Sequence, residues 1–589
     1  MCRNLVGFLL LSVLIISSTD CAKRSTNKTI QQQLNIEKNY ILIPIQERAD
    51  ELKFTIHYPD ASEPEILWIR LAQQQIDYWV KIDVSKFINQ PVSIEIENAN
   101  RAKLGVNNIK QSDKFEFEYH EQFRPVYHFT PQYGWMNDPN GMVYFDGEYH
   151  LFFQYNPYGN RWQNMHWGHA VSTDLVSWTY LPPAIAPDSL GSIFSGSAVV
   201  DKNNTAGFGE NAIVAIYTSA GKEQTQSIAY STDKGRSFTK YNGNPVIPNP
   251  GIWDFRDPKV FWHDASNQWI MSLATKQSVT FYGSPDLKSW TRLSEFGNGI
   301  GSHAGVWECP DLFPLRYQGK TKWVLIVSIN PGGPNHGSAS QYFIGNFDGK
   351  TFIADPLPYP LWLDYGRDNY AGVTWSNIPE NDGRRIFIGW MSNWDYANDV
   401  PSLNFRSAMT VPRELTLQHN GKHLIVASYP VAEINALRGK TTKIANKTIT
   451  TTTLIESVLK EQSGVFELNM IIKPQQAKVF GFSLVNENSE KVKFIFDLNQ
   501  RSIMVDRRES GMTDFHSNFA SIPFAPLNLR NVYHVRLLVD KASSEIFINE
   551  GEVVLTNIHF TSSQFNQLEF FKEDNDWSAE DISIYELKR

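Results

Sequence analysis

A loosely repeated turn constrains the fold of this chain more than any other feature. Four segments carry an aspartate two residues after Ser or Asn and end on Trp or Phe; they are residues 172–178, 231–238, 284–290 and 346–352. Their aspartates lie 59, 53 and 62 residues apart, with short β-like runs between them. This period predicts the four-stranded blades of a β-propeller. The alternative is a set of unrelated polar hairpin turns.

Sequence on either side of residues 122–425 is also typical of β structure. Residues 37–120 alternate between apolar and polar in short bursts, which predicts a small N-terminal β module. After the repeats end, alternating segments such as residues 491–496 predict a C-terminal β-sandwich over residues 440–589. The predicted fold is therefore all-β, with a propeller between two smaller β units.

The first residues are typical of an export signal. Arg3 precedes an apolar run over residues 5–16, too short to cross a bilayer comfortably, so residues 1–20 are predicted to be a signal peptide. Cys21 is either a lipid-bearing cysteine or the start of a released chain. The polar residues 21–36 are interpreted as a tether. The expected location is periplasmic, at the cell surface or secreted, with no integral membrane span.

Composition and charge limit the kinds of molecule that this chain is expected to bind. The chain has 589 residues and a net charge of -8, with no basic stripe to suit nucleic acid. Aromatic residues make up 13%, and their flat faces can stack on sugar rings, although most must be ordinary core residues.

Three carboxylates stand in unusual surroundings. Asp138 lies in WMNDPNG, whose Asp-Pro and Asn-Gly steps place it at a strand end or a turn; Asp257 lies in FRDP and Glu308 in ECPD. Taken singly, each has an ordinary alternative as a turn residue, an ion-pair member or a strand-edge residue. Together, without a metal-binding cluster, they suggest glycosyl transfer to water, which needs one protonated and one charged carboxyl group.

The three acids are 119 and 51 residues apart, so no single hairpin could bring them together. A propeller can, because the innermost strand of every blade lines one central axis and opens at the same end.

Through these motifs the chain resembles glycoside hydrolase family 32, the β-fructosidases that include levanases, exo-inulinases and invertases. The likeness covers roughly residues 122–589 and extends to further segments: FQYNP, NMHWGH, FSGS, GSHAGVW, INPGGP and GWMSNW. The resemblance implies a five-bladed propeller followed by a β-sandwich. The N-terminal module resembles accessory domains that precede the catalytic unit in some Bacteroidetes-type members.

The resemblance also implies roles for the acids. Asp138 would attack the anomeric carbon, Glu308 would protonate the leaving oxygen, and Asp257 would grip fructose hydroxyls and stabilise the transition state. It further implies a substrate-binding shell of hydrogen-bonding groups and aromatic walls: Asn137, Gln154, Ser195 and Arg256, with Trp162, Phe194 and Trp390. Trp162 and Trp390 have an alternative as core residues. Gln163 stands where many relatives have glycine.

The implied function is retaining hydrolysis of β-2,6 or β-2,1 fructofuranosidic linkages, in levan, inulin, fructo-oligosaccharides or sucrose, with exo release of fructose. Two alternatives remain open: a non-catalytic fructan-binding protein on the same scaffold, and a related propeller glycosidase acting on arabinose-containing polymers. No cofactor is expected. A metal site at His166 and His169 is disfavoured, because residues three apart on a strand point to opposite faces.

Overall fold

The computed structural model describes residues 28–588, apart from residues 62, 117–118, 452, 457–458 and 460–463. The predicted signal peptide and Cys21 lie outside these residues. The regular secondary structure of the described chain is almost entirely β-strand, with one short α-helix, α1 (Lys103–Asn108), and brief 3-10 segments at Ser85–Phe87, Ala99–Arg101, Asp264–Ser266 and Ala432–Leu437. Among the described residues, no helix has the length and apolar character needed to cross a membrane.

Two small sheets form the N-terminal domain. Its strands are β1 (Ile30–Asn35), β2 (Tyr40–Ile45), β3 (Leu52–His57), β4 (Glu65–Ile69), β5 (Tyr78–Asp83), β6 (Pro91–Ile96) and β7 (Lys110–Ser112). One sheet has the order β1-β6-β3-β4 and the other β5-β2-β7, with an apolar core of their own. The prediction of a tether over residues 21–36 is wrong for residues 30–35, because they form β1, which pairs antiparallel with β6. Its polar side chains suit an edge strand, where most of them face solvent.

The central domain is built from short antiparallel strands. They are β8 (Gly134–Phe145), β9 (Glu148–Asn156), β10 (His166–Ser172), β11 (Thr179–Ile185), β12 (Ser192–Asp201), β13 (Ala212–Ala220), β14 (Gln224–Ser231), β15 (Thr239–Lys240), β16 (Phe255–His263), β17 (Gln268–Thr275), β18 (Ser278–Ser284), β19 (Thr291–Phe296), β20 (Val306–Tyr317), β21 (Lys320–Asn330), β22 (Ala339–Phe347), β23 (Phe352–Ala354), β24 (Leu361–Trp362), β25 (Tyr370–Thr374), β26 (Ile386–Met391), β27 (Phe405–Arg406), β28 (Ala408–Met409), β29 (Arg413–His419) and β30 (Leu424–Pro430).

These strands pair mainly with their neighbours in the sequence. Between residues 134 and 430, all of which the structure describes, they form five successive sheets that begin with β8, β12, β16, β20 and β25. Each of these first strands contacts the next one, and β25 contacts β8 again. The first strands therefore surround a common centre, as the innermost strands of a propeller do.

The repeated aspartates close equivalent turns in four of the sheets. Asp174 accepts hydrogen bonds from the backbone nitrogens of Val176 and Ser177, at 2.9 and 2.6 Å. Asp233, Asp286 and Asp348 accept the same kind of bond, each from a residue three positions later. Each turn joins the third strand of its sheet to the fourth. The repeat in the sequence is thus a side-chain-closed turn.

The C-terminal domain packs one large sheet on another. Its strands are β31 (Arg438–Ile444), β32 (Lys447–Ile449), β33 (Thr453–Glu456), β34 (Phe466–Lys473), β35 (Val479–Val485), β36 (Lys491–Asp497), β37 (Ser502–Asp506), β38 (Phe524–Pro526), β39 (Tyr533–Asp540), β40 (Ser543–Ile548), β41 (Val553–Ile558), β42 (Gln567–Lys572) and β43 (Trp577–Leu587). The sheets have the orders β31-β43-β34-β39-β40-β41 and β33-β42-β35-β36-β37-β38, with a shared apolar core. The arrangement is consistent with the predicted β-sandwich.

Two predicted limits shift by a few residues. β30 continues to Pro430, beyond the expected end at 425, because it stays paired with β29 up to that proline. β31 begins at Arg438 instead of 440, directly after the short helix Ala432–Leu437.

Buried ionic groups join the central and C-terminal domains. The His128 ring lies 2.9 Å from Asp540 and 2.7 Å from Glu545, and Arg413 pairs with Asp364 at 2.9 Å and also with Glu545. Burial opposes the charged form of His128, but the two carboxylates raise its pKa to about 9. Because each of these charged groups has a partner of opposite charge, the interface is buried without leaving an unpaired charge away from water.

Candidate active site

The three predicted acids lie on the first strands of three sheets, each at a β-bulge. The pairing register slips between Met136 and Pro139 on β8, between Arg256 and Lys259 on β16, and between Glu308 and Asp311 on β20. The first strands of the other two sheets, β12 and β25, slip in the same way near their starts. A bulge re-aims a side chain out of the regular alternation. The irregular backbone thereby turns neighbouring side chains towards the common centre.

Asp138 accepts hydrogen bonds at both carboxylate oxygens. The Ser195 hydroxyl donates to Oδ2 at 2.6 Å and the Asn137 amide donates to Oδ1 at 3.0 Å. Asn137 is in turn fixed by the Trp135 indole, which donates to its Oδ1 at 2.7 Å. Burial, followed by the Glu308 charge, raises the pKa of Asp138 above its usual range, and the donors oppose the rise. The carboxylate is thus held in one orientation by neighbours predicted to bind substrate.

Asp257 is more deeply buried and sits on strained backbone. Its φ is 64°, in the left-handed region that non-glycine residues rarely adopt. Its backbone nitrogen donates to the Thr218 hydroxyl at 3.1 Å, and its Oδ2 accepts from the Cys309 backbone nitrogen at 3.0 Å. Burial raises the pKa of Asp257 to about 7; the Arg256 guanidinium opposes the rise, and the Glu308 and Asp138 charges add to it.

Glu308 has a donor at each oxygen. The Arg256 side chain approaches Oε1 at 2.9 and 3.0 Å, and the Tyr370 hydroxyl donates to Oε2. Arg256 is itself oriented by Asp254, 2.6 Å away. These contacts hold the carboxyl group of Glu308 in one orientation.

The Cys309 thiol lies between the two aspartates. Its Sγ is 3.6 Å from Oδ2 of Asp138 and 3.6 Å from Oδ2 of Asp257. Burial, and then the charges of Asp257 and Asp138, raise the pKa of this thiol well above its ordinary value. A protonated thiol can donate weakly to both carboxylates, so Cys309 links the two without adding charge.

The pKa of Asp257 leads to a testable stability effect. Between the unfolded value near 4 and the folded value near 7, the folded protein binds more protons than the unfolded chain, so its stability falls as pH rises through this window. Asp257→Asn removes that dependence. We subtract the unfolding free energy of wild type from that of the variant. This difference should be more favourable to the variant at about pH 8 than at about pH 5, by on the order of 2 kcal/mol. Denaturant unfolding at both pH values measures it.

Asp233→Asn is the matched control. Slight burial opposes the shift, but hydrogen bonds from Ser231 and Ser237 lower the pKa of Asp233 to about 2. The stabilisation by ionised Asp233 is complete above the pKa of the unfolded chain and is lost only as pH falls towards 2. The Asp233→Asn variant should therefore differ from wild type by the same unfolding free energy at both pH values. An Asp257→Asn effect that is also independent of pH would contradict the assigned pKa.

The structure places most of the predicted substrate-binding shell around this cluster. Asn137, Ser195 and Arg256 contact the acids directly, as described above. Gln154 is buried and donates to the carbonyl of Ile193, two residues before Ser195 on β12, at 3.0 Å. Trp162 is 38% exposed, with its ring 5.9 Å from the Phe194 ring at an angle of 70°. Phe194 directly precedes Ser195 on β12, so the pair of rings is joined to the residue that donates to Asp138.

Trp390 is the exception. Its side chain is completely buried and packs against Trp135 and Trp394, with ring centroids 6.0 and 4.9 Å away. The packing therefore favours its alternative as a core residue over a wall that touches sugar. It supports the site indirectly, because Trp135 positions Asn137.

The sequence analysis did not predict four residues that contact the acids or Arg256, which are Tyr370, Asp254, Cys309 and Thr218. Tyr370 opens β25, and Asp254 lies two residues before Arg256. A signal for Asp254 existed in its closeness to FRDP. No sequence signal pointed to Tyr370, because nothing in residues 368–372 (DNYAG) indicates a contact with Glu308.

The histidines that invited a metal interpretation have separate surroundings. His166 contacts the Asn164 carbonyl at 2.6 Å, whereas His169 lies 3.0 Å from His150 and stacks on Phe152. Burial lowers the pKa of both rings. Within the described part of the chain, no group of three or more His, Cys, Asp or Glu side chains is arranged to hold a metal ion.

Comparison with known proteins places the chain in a family. Residues 128–428 match the N-terminal domain of glycosyl hydrolases family 32, and residues 433–586 match the C-terminal domain of that family. Residues 25–127 match a domain of unknown function, DUF4980.

Individual relatives agree with this match. The chain is 49% identical over 486 residues to a levanase of Bacillus subtilis, spanning 80% of this chain and 71% of the levanase. The crystal structure of exo-inulinase from Aspergillus awamori aligns with a TM-score of 0.73 at 36% identity, over 80% of this chain and 99% of that one. A fructofuranosidase from Schwanniomyces occidentalis in complex with fructose aligns with a TM-score of 0.74 at 35% identity, over 81% and 100% of the chains. The chain belongs to family 32 of the glycosyl hydrolases and is a glycosidase.

Proposed function

We propose that this protein is a retaining β-fructosidase that removes fructose from the ends of fructans such as levan or inulin, and from smaller fructosides. The observation that carries the proposal is the cluster of Asp138, Asp257 and Glu308, oriented by Ser195, Arg256 and Tyr370. The names of the levanase, exo-inulinase and fructofuranosidase relatives support fructose as the sugar.

Asp138 is the proposed nucleophile. Its carboxylate attacks the anomeric carbon of the terminal fructosyl unit and forms a fructosyl ester while the bond to the leaving oxygen breaks. The Ser195 and Asn137 donors fix the direction of attack before substrate arrives. Water then cleaves the ester and regenerates Asp138.

Glu308 is the proposed acid and base. It gives its proton to the departing oxygen in the first step and takes a proton from water in the second. Arg256 and Tyr370 keep its carboxyl group in place through both steps.

Asp257 is proposed to stabilise the transition state. Positive charge develops on the furanose ring as the leaving group departs, and a buried carboxylate near it interacts more strongly at that moment than in the ground state. The Thr218 and Cys309 contacts keep Asp257 on its strained backbone, away from the attacking position.

Architecture and location complete the proposal. We interpret the five sheets over residues 134–430 as the five blades of a propeller, preceded by an accessory domain up to about residue 120 and followed by a β-sandwich from Arg438. Export is inferred from the first 20 residues and from the extracellular exo-inulinases among the relatives. Cys21 is the proposed lipid attachment point if the protein is anchored.

A product profile tests the proposal. Purified protein incubated with levan and separately with inulin should release fructose as the first and main product, with the polymer shortening slowly. Early oligosaccharides would instead show endo cleavage. Absence of release from any fructan or from sucrose, with binding retained, would favour a fructan-binding protein.

A further inference from the structure

The N-terminal domain packs directly on a loop at the edge of the catalytic cluster. This loop, residues 157–165, connects β9 to β10 and carries Trp162, and we refer to it as the Trp162 loop. Contacts from the N-terminal domain reach it at several points along its length.

Asn164 completes an edge strand of the N-terminal domain. Its Oδ1 accepts from the Trp68 backbone nitrogen at 2.9 Å, and its Nδ2 donates to the Trp68 carbonyl at 2.9 Å. Trp68 lies on β4, the edge strand of its sheet, so the amide takes the position that a further strand would occupy. Asn164 has φ of 48°, a conformation that asparagine tolerates better than most residues.

The first half of the loop is fixed in the same way. Tyr158 packs into the apolar core of the N-terminal domain, and its hydroxyl donates to Glu65 at 3.1 Å. The Asn160 backbone nitrogen donates to the Tyr78 hydroxyl at 3.1 Å. The two ends of the loop are therefore attached to the N-terminal domain on either side of Trp162.

A buried carboxylate extends this support to Trp162 itself. Glu47 accepts from the Tyr78 hydroxyl at 3.0 Å and from Arg406 at 3.1 Å. Arg406 donates to the Asn398 carbonyl at 2.5 Å, and the Asn398 side chain accepts from the Trp162 backbone nitrogen at 3.1 Å. Glu47 and Arg406 are both almost completely buried, so this pair is screened little by solvent.

Gln163 also faces this domain. Its amide nitrogen lies 3.4 Å from Oε2 of Glu51. Gln163 is therefore part of the contact between the two domains.

We propose that the N-terminal domain contributes to the substrate site: it holds the Trp162 loop in place, so that Trp162, packed against Phe194, forms one wall of the sugar pocket. Asn164 and Glu47 are positioning residues that act through Trp162. The inference rests on the proposed fructosidase function. The ligand that Trp162 would contact is a fructosyl unit next to the bond that is cleaved.

The test combines single and double variants in the full-length protein. Asn164→Ala should raise KM for fructo-oligosaccharides roughly 5- to 20-fold and change kcat less than about two-fold, because binding of ground and transition states is weakened alike. Trp162→Ala should do the same. In the double variant the two effects should not multiply, because Asn164 acts through Trp162.

Gln111→Ala is the matched control, because among the described residues the Gln111 side chain bonds only to Asn35, Glu37 and Lys38, all within the N-terminal domain. It should leave KM unchanged. Hydrogen exchange of residues 157–165 gives a readout that does not need turnover: exchange should accelerate in Asn164→Ala and Glu47→Gln, and stay at the wild-type rate in Gln111→Ala.

The inference is wrong if the KM effects of Asn164→Ala and Trp162→Ala multiply in the double variant. It is also wrong if hydrogen exchange of residues 157–165 is unchanged in a folded Asn164→Ala protein. Absence of turnover by the wild type on every fructoside would count against the proposed function instead, and the exchange comparison would still decide whether the domain holds the loop. If Glu47→Gln does not fold, Asn164→Ala carries the comparison alone.

Discussion

Replacing Asp138 with asparagine is expected to lower kcat on levan or inulin by about 10⁴-fold, the largest effect of any single substitution. Asparagine has nearly the same shape and can still accept from Ser195, so the cluster should keep its geometry. It cannot form the fructosyl ester, because the amide is a far weaker nucleophile than a carboxylate. The loss should therefore appear in the first chemical step, which single-turnover kinetics measures.

Asp174→Asn serves as the control for this experiment. Asp174 closes a turn in the same sheet, and an asparagine side chain can accept the same two backbone hydrogen bonds. Its variant should keep kcat within about two-fold of wild type. An Asp138→Asn enzyme with a substantial fraction of wild-type kcat, in a preparation free of wild type, would assign the attack to another group.

The second large effect concerns Glu308→Gln and depends on the leaving group. On fructans, whose leaving oxygen needs a proton, kcat should fall by about 10³-fold. On fructosyl fluoride, whose leaving group departs without a proton, the first step should be nearly normal. The second step should then be slow, because glutamine cannot deprotonate water.

An added nucleophile separates the two steps. Azide needs no base, so it should accelerate turnover of fructosyl fluoride by Glu308→Gln and yield a fructosyl azide. Glu295→Gln, in an exposed pair with Arg292, is the control and should behave as wild type. Equal losses of Glu308→Gln on fructan and on the fluoride would argue against proton donation by this residue.

Much of the fold could be predicted from side-chain patterns. The repeated aspartates indicated recurring turns because a carboxylate can cap its own turn locally, and the structure shows this at Asp174 and its counterparts. The all-β character is confirmed, and so is the family. Domain limits were less accurate, because polar edge strands such as Ile30–Asn35 have the composition of a tether.

The sequence analysis predicted residues for the candidate site but not their geometry, and their catalytic roles stay predictions. Motifs identified Asp138, Asp257 and Glu308, which the structure brings together. Their orientation depends on β-bulges and on the left-handed backbone of Asp257 and Cys309, with φ of 64° and 46°. These features arise from long-range strand pairing, and no local pattern marks them. Packing likewise decides that a tryptophan such as Trp390 is buried.

The most direct measurement is to trap and locate the covalent intermediate. Glu308→Gln incubated with fructosyl fluoride and quenched in acid should gain the mass of one fructosyl unit, and peptide mapping should place it on Asp138. Attachment to Asp257, or no attachment together with products of inverted configuration, would contradict the assignment of Asp138 as the attacking group.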